Sequence, residues 1–280
     1  MAEILKGAPV AAALTEKLIA RAEILKSKNI NPTLAIVRVG EKPGDISYET
    51  GATKRCEKIG IDVKKFILPD DASHEKILNV IREINNDSSI HGCLVLRPLP
   101  DKKIEEAACE ILSPSKDVDC MTAGSLASVF AGRGDGYAPC TAQACLEILD
   151  FYGVELEGKN IAVLGRSLVI GRPLSIMLQN RNATITMCHS KTRDLEKISR
   201  NSEIIIAAIG RAKFVDKNFI APGQIIIDVG INVDEAGKLC GDVKFEEVEP
   251  IVKAVTPVPA GVGSVTTAVL AKHVIEAAER

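Results

Sequence analysis

A glycine turn between an apolar strand and a helix is the stretch whose residue types best suit phosphate chemistry. The short apolar run from Ile161 to Leu164 is typical of a strand buried on both faces, and Gly165 follows it directly. Glycine adopts backbone angles that other residues avoid, and it lets a phosphate approach the main chain. The start of the next helix offers free N–H groups and the positive end of the helix dipole to an anion. The stretch therefore predicts a site for the pyrophosphate of a dinucleotide.

The glycine spacing departs from the common dinucleotide fingerprint. Gly165 and Gly171 are six residues apart, and Ser167 stands where the second of three glycines is usual. An ordinary strand–turn–helix of an α/β protein explains the turn equally well. The rest of the chain must therefore decide between the two interpretations.

The residues after the second strand of this half indicate which dinucleotide would bind. The strand ends in His189-Ser190-Lys191-Thr192, which contains no acid. NAD sites usually carry an Asp or Glu there, which accepts a hydrogen bond from the ribose 2′-hydroxyl. Arg166 follows the first glycine, and an arginine can bind a phosphate with two parallel hydrogen bonds. Ser190, Lys191 and Arg166 together favour NADP over NAD, although Lys191 and Arg166 also fit the alternative of solvated surface charges.

Composition and charge argue against several other classes of protein. The chain has 280 residues and a formal net charge of −2, and its scattered lysines and arginines favour neither nucleic acid nor an anionic membrane. No apolar run approaches the ~20 residues that span a bilayer, and the N-terminus shows no signal-peptide pattern. None of the eight cysteines forms a C-x-x-C pair or a cluster with metal-ligand spacing. We expect a reduced, cytoplasmic protein without a metal site.

Predicted strands and helices alternate along the chain, which indicates an α/β fold with parallel strands. In the first half the sequence predicts helices over 9–29, 47–59 and 74–85, a loop over 40–45, and strands over 33–39, 61–68 and 90–96. In the second half it predicts helices over 141–152 and 265–279, and strands over 161–164, 183–188, 204–208, 224–229 and 252–255. We predict two domains. Residues 1–140, completed by a C-terminal helix over 266–280, form a substrate domain, and residues 141–265 form a Rossmann-type NAD(P)-binding domain with a parallel sheet.

Seven motifs, including the glycine turn and the end of the strand after it, occur in order along the chain. They are Lys116-Asp117-Val118-Asp119, Pro139-Cys140-Thr141, Gly165-Arg166-Ser167 with Gly171-Arg172-Pro173, Ala183 to Thr192, Ile227 to Asn232, Gly241-Asp242-Val243 and Thr256-Pro257-Val258-Pro259. Together they resemble the methylenetetrahydrofolate dehydrogenase/methenyltetrahydrofolate cyclohydrolase family over essentially the whole chain. The resemblance implies two α/β domains with a folate cleft between them, and a homodimer. It also implies hydride transfer from methylenetetrahydrofolate, the one-carbon form of the tetrahydrofolate carrier, to NADP.

The resemblance also implies roles for individual residues. Those expected to contact the cofactor are Gly165, Arg166, Ser167, Ser190 and Ile231. Those expected to bind the folate are Tyr48, Asp119, Leu96, Pro98, Pro259 and Gly261, with Asp119 gripping the pterin. Tyr48, Asp119 and Asp45 form the predicted catalytic set.

The chain departs from the family pattern at two positions that serve the second reaction, hydrolysis of the methenyl bridge. The family motif Ser-x-x-Tyr-x-x-x-Lys becomes Asp45…Tyr48…Ala52, so alanine replaces the usual lysine. The family's Val-Gln-Leu-Pro-Leu-Pro has Leu96 in place of the glutamine. In the segment after Pro259, Ala260 and Ser264 replace a usual glycine and a usual proline.

The two reactions make different chemical demands. Hydride transfer depends on holding the donor carbon near the nicotinamide, and Asp45 could stabilise the cation that it leaves. Hydrolysis depends on a positioned general acid–base group, which typically raises the rate by about 10²–10⁴-fold. Neither the Ala52 nor the Leu96 side chain can donate or accept a proton. We therefore predict an NADP-dependent dehydrogenase with weak or absent cyclohydrolase activity.

Three alternatives stay open. The first is a bifunctional enzyme whose site is reorganised by Arg97 or Asp45. The second is a folate- and dinucleotide-binding protein without turnover, and the third is a related dehydrogenase for another one-carbon carrier.

Overall fold

The computed structural model describes residues 1–280, which divide into two compact units. The three-stranded unit comprises residues 13–140 and 267–280, and the six-stranded unit comprises residues 1–12 and 141–266. The strands are β1 (Glu3–Ile4), β2 (Thr33–Val39), β3 (Asp62–Leu68), β4 (Gly92–Val95), β5 (Asn160–Leu164), β6 (Thr184–Cys188), β7 (Ile204–Ala207), β8 (Ile225–Asp228), β9 (Asn232–Val233), β10 (Leu239–Cys240) and β11 (Ala254–Val255). The helices are α1 (Gly7–Ser27), α2 (Pro43–Ile59), α3 (His74–Asn86), α4 (Lys102–Ile111), α5 (Ala123–Ala131), α6 (Cys140–Phe151), α7 (Gly171–Gln179), α8 (Leu195–Arg200), α9 (Phe245–Val248) and α10 (Thr266–Ala278).

The three-stranded unit is built on a parallel sheet in the order β3–β2–β4. All seven residues of the central strand β2 are buried, as expected for an apolar strand covered on both faces. Ile77, Ile81 and Ile84 of α3 recur at helical spacing and pack into the core on this sheet. The predicted α/β architecture with parallel strands is confirmed.

Helix α2 begins at Pro43, four residues before the predicted start. Proline suits the first turn of a helix because the N–H that it lacks would have no partner there. The helix ends at Gly60, whose φ of +91° is left-handed and whose N–H donates to the carbonyl of Cys56 at 2.9 Å. The predicted loop over 40–45 is therefore shorter, and Asp45 lies in the first helical turn, three residues before Tyr48 and on the same side of the helix.

A buried ion pair fastens α2 to the sheet. The Nε of Arg38, on β2, donates to Oε2 of Glu49, on α2, at 2.6 Å, and both side chains are buried. The Nζ of Lys65 lies 3.0 Å from the other carboxylate oxygen. Burial opposes ionisation of Glu49, but the hydrogen bonds from Arg38 and Lys65 outweigh it and lower the pKa of the carboxyl.

The six-stranded unit contains a parallel sheet in the order β1–β11–β8–β7–β5–β6. Strand β5 has the next strand, β6, on one side and β7 on the other, so the strand order reverses at β5. Ligands of such sheets bind beyond the carboxyl ends of the strands at the point of reversal. Strands β9 and β10 form a separate antiparallel pair.

The structure differs from the predicted domain division at the N-terminus. Residues 1–12 belong to the six-stranded unit rather than to the first domain, because β1 pairs in parallel with β11. Helices α4, α5, α8 and α9 and the β9–β10 pair were not predicted from the sequence. None of the helices combines the length and the apolar character needed to cross a membrane.

Candidate active site

The turn after β5 has glycine at two positions where no side chain fits. Gly165 has a φ of +132°, which L side chains rarely adopt, and a Cβ there would overlap the carbonyl oxygen of Ala208. A Cβ on Gly171 would overlap the carbonyl oxygen of Gly165. Helix α7 starts only at Gly171, and in the intervening turn the Oγ of Ser167 accepts a hydrogen bond from the N–H of Ile170 at 3.1 Å.

A cavity of about 340 Å³ lies at the carboxyl ends of β5, β6 and β7. Four of the predicted cofactor residues line it, namely Gly165, Arg166, Ser167 and Ser190. Its lining contains two arginines and no carboxylate. Lys191, which the sequence grouped with Arg166 and Ser190, is exposed and does not line this cavity.

Arg211 and Phe214 line the same cavity and were not identified from the sequence. The Cζ of Arg211 lies 4.5 Å from the centre of the Phe214 ring, within the range of a cation–π contact. Both residues follow β7. Because ligands of parallel sheets bind beyond the carboxyl ends of the strands, their position after a predicted strand could have indicated them. No motif in the sequence marked them.

Two buried carboxylates organise the loops beside this cavity. Asp242 accepts hydrogen bonds from the backbone N–H groups of Ile209 at 2.5 Å, Gly210 at 2.9 Å and Arg211 at 2.9 Å. Asp228, at the end of β8, accepts from the N–H groups of Gly230, Asp242 and Val243, each at 3.0 Å. Burial raises the pKa of Asp228 to about 7, although the three N–H donors oppose the rise.

A second cavity, of about 300 Å³, lies in the six-stranded unit between the end of β8 and the segment 257–264. Ile231, predicted to contact the cofactor, lines this cavity and not the first one, and 68% of its surface is exposed. Pro259 and Gly261, predicted to bind the substrate, line the same cavity. Ala260 between them has a φ of +79°, in the left-handed region that favours glycine.

The structure brings Tyr48 and Asp119 together in the three-stranded unit. Tyr48 is half-buried on α2, and burial raises its pKa well above the usual range, with further contributions from nearby Cys140 and Asp119. The backbone N–H of Cys140 donates to Oδ1 of Asp119 at 3.4 Å. Burial raises the pKa of Asp119, while the hydrogen bonds from Cys140 and the positive charge of Arg97 oppose the rise.

Cys140 and His273 support the backbone next to Asp119. The Nδ1 of His273, on α10, lies 2.9 Å from the carbonyl oxygen of Val118, and the Sγ of Cys140 donates to the same carbonyl at 3.3 Å. Both side chains are buried. The sequence did not mark His273, because its partner lies 155 positions away in the chain.

The two positions that depart from the family pattern are apolar and buried. Ala52 lies on α2 one turn beyond Tyr48 and is fully buried. Leu96 follows β4 and is 6% exposed. Neither side chain can give or take a proton, so the site lacks an acid–base group at both positions.

The loop after β4 is tied to its neighbours by charged side chains. The carbonyl oxygen of Pro98 accepts a hydrogen bond from Nζ of Lys42 at 2.9 Å. The half-buried guanidinium of Arg97 lies 4.0 Å from the Glu105 carboxylate, which also accepts from the N–H of Leu99 at 3.0 Å. In the structure, no three or more His, Cys, Asp or Glu side chains are grouped so that they could hold a metal ion.

Comparison with known proteins identifies both halves of the chain. Residues 5–119 match the tetrahydrofolate dehydrogenase/cyclohydrolase catalytic domain, and residues 139–280 match the NAD(P)-binding domain of the same family. The bifunctional protein FolD of Carboxydothermus hydrogenoformans is 50% identical over 281 residues, which cover 100% of this chain and 98% of that protein.

Two solved structures are similar over nearly their whole length. The bifunctional FolD methylenetetrahydrofolate dehydrogenase/cyclohydrolase of Campylobacter jejuni is 36% identical with a TM-score of 0.95, over 100% of this chain and 99% of that one. The Trypanosoma brucei FolD enzyme, crystallised with NADP and an inhibitor, is 31% identical with a TM-score of 0.92, over 100% of this chain and 98% of that one. The chain therefore belongs to the tetrahydrofolate dehydrogenase/cyclohydrolase family of enzymes, as its motifs predicted.

Proposed function

We propose that this protein is an NADP-dependent 5,10-methylenetetrahydrofolate dehydrogenase of one-carbon metabolism. The observation that carries the proposal is the acid-free cavity at the ends of β5, β6 and β7, in a chain whose two halves match the folate dehydrogenase family. The residues present fit NADP, because Gly165, which has no side chain and packs closely against the backbone of Ala208, lines the cavity together with two arginines. The Trypanosoma brucei relative was crystallised with the same cofactor.

The residues of the six-stranded unit would position the cofactor. Gly165 admits the pyrophosphate to the main chain, and Arg166, Ser167 and Ser190 offer it charge and hydrogen bonds. Ile231 gives an apolar wall in the second cavity. When bound, NADP supplies the nicotinamide carbon that accepts the hydride, and the protein contributes alignment and exclusion of water.

The residues of the three-stranded unit would bind the folate. The Asp119 carboxylate accepts hydrogen bonds from N–H groups of the pterin, and the phenol of Tyr48 donates one. Asp45 places a negative charge one helical turn from Tyr48, where it stabilises the cationic product. Leu96 and Pro98 complete the proposed substrate-binding set of this unit, and Pro259 and Gly261 are the proposed substrate-binding residues of the six-stranded unit.

We propose further that hydrolysis of the methenyl product is slow, because Ala52 and Leu96 are buried and apolar. A second candidate is the bifunctional enzyme. The Carboxydothermus relative, at 50% identity, is named as bifunctional, and this carries at least as much weight as the two substitutions. Arg97 or Asp45 would then have to serve the second reaction.

A spectrophotometric assay with purified protein, methylenetetrahydrofolate and NADP separates these candidates. Joint accumulation of reduced NADP and stable methenyl product indicates the dehydrogenase without efficient hydrolysis. Reduced NADP with methenyl decay faster than in an enzyme-free control indicates the bifunctional enzyme. Failure to reduce either NADP or NAD would contradict both candidates.

We also propose that the protein is a homodimer. Two apolar side chains of the β9–β10 pair, Val233 and Leu239, are exposed, as is Met187 on the edge strand β6. Exposed apolar side chains on an edge strand are suited to an interface between copies. Sedimentation equilibrium tests the proposal, and a monomeric mass at micromolar concentration would refute it.

A further inference from the structure

We infer that Arg211 binds the adenosine 2′-phosphate of NADP together with Arg166, and that Arg211 thereby determines the choice of NADP over NAD. The inference rests on the proposed NADP-dependent function. It concerns a residue after β7, whereas the residues that favoured NADP over NAD in the sequence, Arg166, Ser190 and Lys191, follow β5 and β6.

The placement of Arg211 brings it to the same cavity as Arg166 from a different loop. Arg166 follows β5 and Arg211 follows β7, and the two strands are neighbours in the sheet. Ser190, after β6, lines the cavity from a third loop. Residues that follow three parallel strands thus line one space of about 340 Å³, and they include two arginines and the two serines Ser167 and Ser190.

The side chains that line this cavity carry positive and no negative charge, and the Asp242 carboxylate beside it is occupied by backbone N–H groups of loop 209–211. None of its lining residues is an Asp or Glu, and neither arginine takes part in an ion pair with a carboxylate. A phosphate monoester carries a charge of about −1.5 to −2 near neutral pH and has three acceptor oxygens. Two guanidinium groups match both the charge and the acceptors of such a group.

Arg211 is held in place before any ligand binds. Its backbone N–H donates to the buried Asp242 carboxylate, which also accepts from Ile209 and Gly210. Its guanidinium lies over the Phe214 ring, and that ring packs against Phe219 at 5.3 Å between centres. A side chain positioned in this way loses less freedom when it binds, so more of its interaction energy appears as affinity.

Binding of two small probes tests the inference without measuring turnover. Adenosine 2′,5′-bisphosphate carries the 2′-phosphate, and AMP lacks it but keeps the adenine. We would measure the affinity of each probe by calorimetry for the full-length protein, for Arg211→Ala and for Arg200→Ala. Arg200 is an exposed arginine outside this cavity, near the opposite ends of the strands, so it serves as the matched control.

We expect Arg211→Ala to weaken bisphosphate binding by about 10- to 100-fold, as for loss of hydrogen bonds to a charged group, and to change AMP binding by less than about twofold. Arg200→Ala should leave both affinities unchanged. Equal weakening of both probes would show that Arg211 stacks on the adenine, which overturns the inference. Unchanged binding of both probes would overturn it as well.

A second variant covers the case in which Arg211→Ala does not fold, and the unaltered protein tests the NADP preference by itself. If Arg211→Ala does not fold, Arg211→Lys replaces it, and a several-fold loss for the bisphosphate alone is expected because lysine lacks the paired donors. No selective loss in Arg211→Lys would then overturn the inference. If the unaltered protein does not prefer the bisphosphate over AMP, the proposed NADP preference fails together with the inference, whereas a preference that survives Arg211→Ala overturns the inference alone.

Discussion

The carboxylate of Asp228 accepts a hydrogen bond from the backbone N–H of Asp242 at 3.0 Å, so one buried acid positions the next. Two glycines make this approach possible. A Cβ on Gly241 would overlap the Asp228 carboxylate, and a Cβ on Gly230 would overlap Asp242. The motifs Asp228-Val229-Gly230 and Gly241-Asp242-Val243 are thus two halves of one structural arrangement, which holds the loop 209–211 beside the first cavity.

The stability of the six-stranded unit should depend on the ionisation of Asp228. Burial raises its pKa from the ordinary value of 3.8 to about 7. A group whose pKa is raised by folding stabilises the protein below its unfolded pKa, and this stabilisation is lost as the pH rises through the folded pKa. We expect the free energy of unfolding of the unaltered protein, relative to Asp228→Asn, to fall by about 3 kcal/mol between pH 5 and pH 8.

Urea unfolding of both proteins across that pH range measures the difference. Asp234→Asn is the control, because hydrogen bonds, first from Lys213, lower the pKa of this partly buried carboxyl, which therefore stays ionised throughout. The difference in the free energy of unfolding between the unaltered protein and Asp234→Asn should not change with pH. A flat curve for Asp228→Asn would show that Asp228 is also ionised throughout.

Substitution of Gly165 should disrupt both stability and nucleotide binding. In Gly165→Ala the new Cβ overlaps the carbonyl oxygen of Ala208, and alanine must also adopt a φ of +132°. We therefore expect the free energy of unfolding to fall by about 3 kcal/mol or more and NADP to bind at least tenfold more weakly. Gly153→Ala is the control, since Gly153 also has a positive φ, +65°, but open space around it. It should cost about 1 kcal/mol and leave NADP binding unchanged, as measured by urea unfolding and calorimetry. Equal effects of the two variants would argue against a requirement for glycine in the close approach of residue 165 to Ala208.

Restoring the family's lysine and glutamine at positions 52 and 96 should accelerate hydrolysis of the methenyl product. The double variant Ala52→Lys with Leu96→Gln is expected to hydrolyse methenyltetrahydrofolate at least about 10²-fold faster than the unaltered protein, the lower range of general acid–base catalysis. Ala52→Met with Leu96→Gln matches the first side chain in size but offers no amine. Decay of the methenyl absorbance measures the rate. Equal rates in the two double variants would show that Ala52 does not occupy the acid–base position.

Breaking the buried ion pair of α2 should destabilise the three-stranded unit strongly. Glu49→Gln leaves the buried guanidinium of Arg38 without a counter-charge, which typically costs about 3–5 kcal/mol. Glu106→Gln is the control, because Glu106 pairs with Lys102 on the exposed surface of α4 and should cost no more than about 0.5 kcal/mol. The midpoint of urea unfolding reports both values. Similar midpoints would contradict the structural role of the pair.

Relief of backbone strain at Ala260 should stabilise the six-stranded unit. The φ of +79° is unfavourable for alanine, and Ala260→Gly should raise stability by about 1 kcal/mol. Ala236→Gly is the control at an exposed alanine that lacks a positive φ, where added freedom of the unfolded chain should lower stability slightly. Thermal unfolding compares the two. A lower melting temperature for Ala260→Gly would refute the strain argument.

Local patterns in the sequence predicted the regular elements well and their partners poorly. Strand β2 was predicted at its observed bounds, Thr33–Val39, because the short apolar run Leu34 to Val37 with Val39 is bounded by Pro32 and Gly40 and is typical of a buried strand. Strand β1 was missed because two residues carry no periodicity, and only pairing with β11 makes them a strand. The start of α2 was misplaced because Pro43 and Gly44 suit a turn as well as a first helical turn.

In the candidate site, too, residues within local motifs were predicted, whereas residues positioned by distant parts of the chain were not. The motif residues Gly165, Arg166, Ser167 and Ser190 share one cavity, as their order after parallel strands suggested. Arg211 escaped notice because its position depends on a loop fixed by Asp242, 31 residues further along the chain. The supporting contact of His273 with Val118 likewise could not be found from local spacing.

The division of the chain into interrupted units has a consequence for synthesis on the ribosome. Strand β1 emerges early, yet its sheet partner is β11, and Ala2 donates to the Glu249 side chain 247 residues away. The three-stranded unit, in turn, needs residues 267–280 in addition to residues 13–140. The six-stranded unit therefore cannot close its sheet until β11 has been synthesised, and until then the edge of β8 that β11 covers stays unpaired. The three-stranded unit cannot be completed before residues 267–280 have followed.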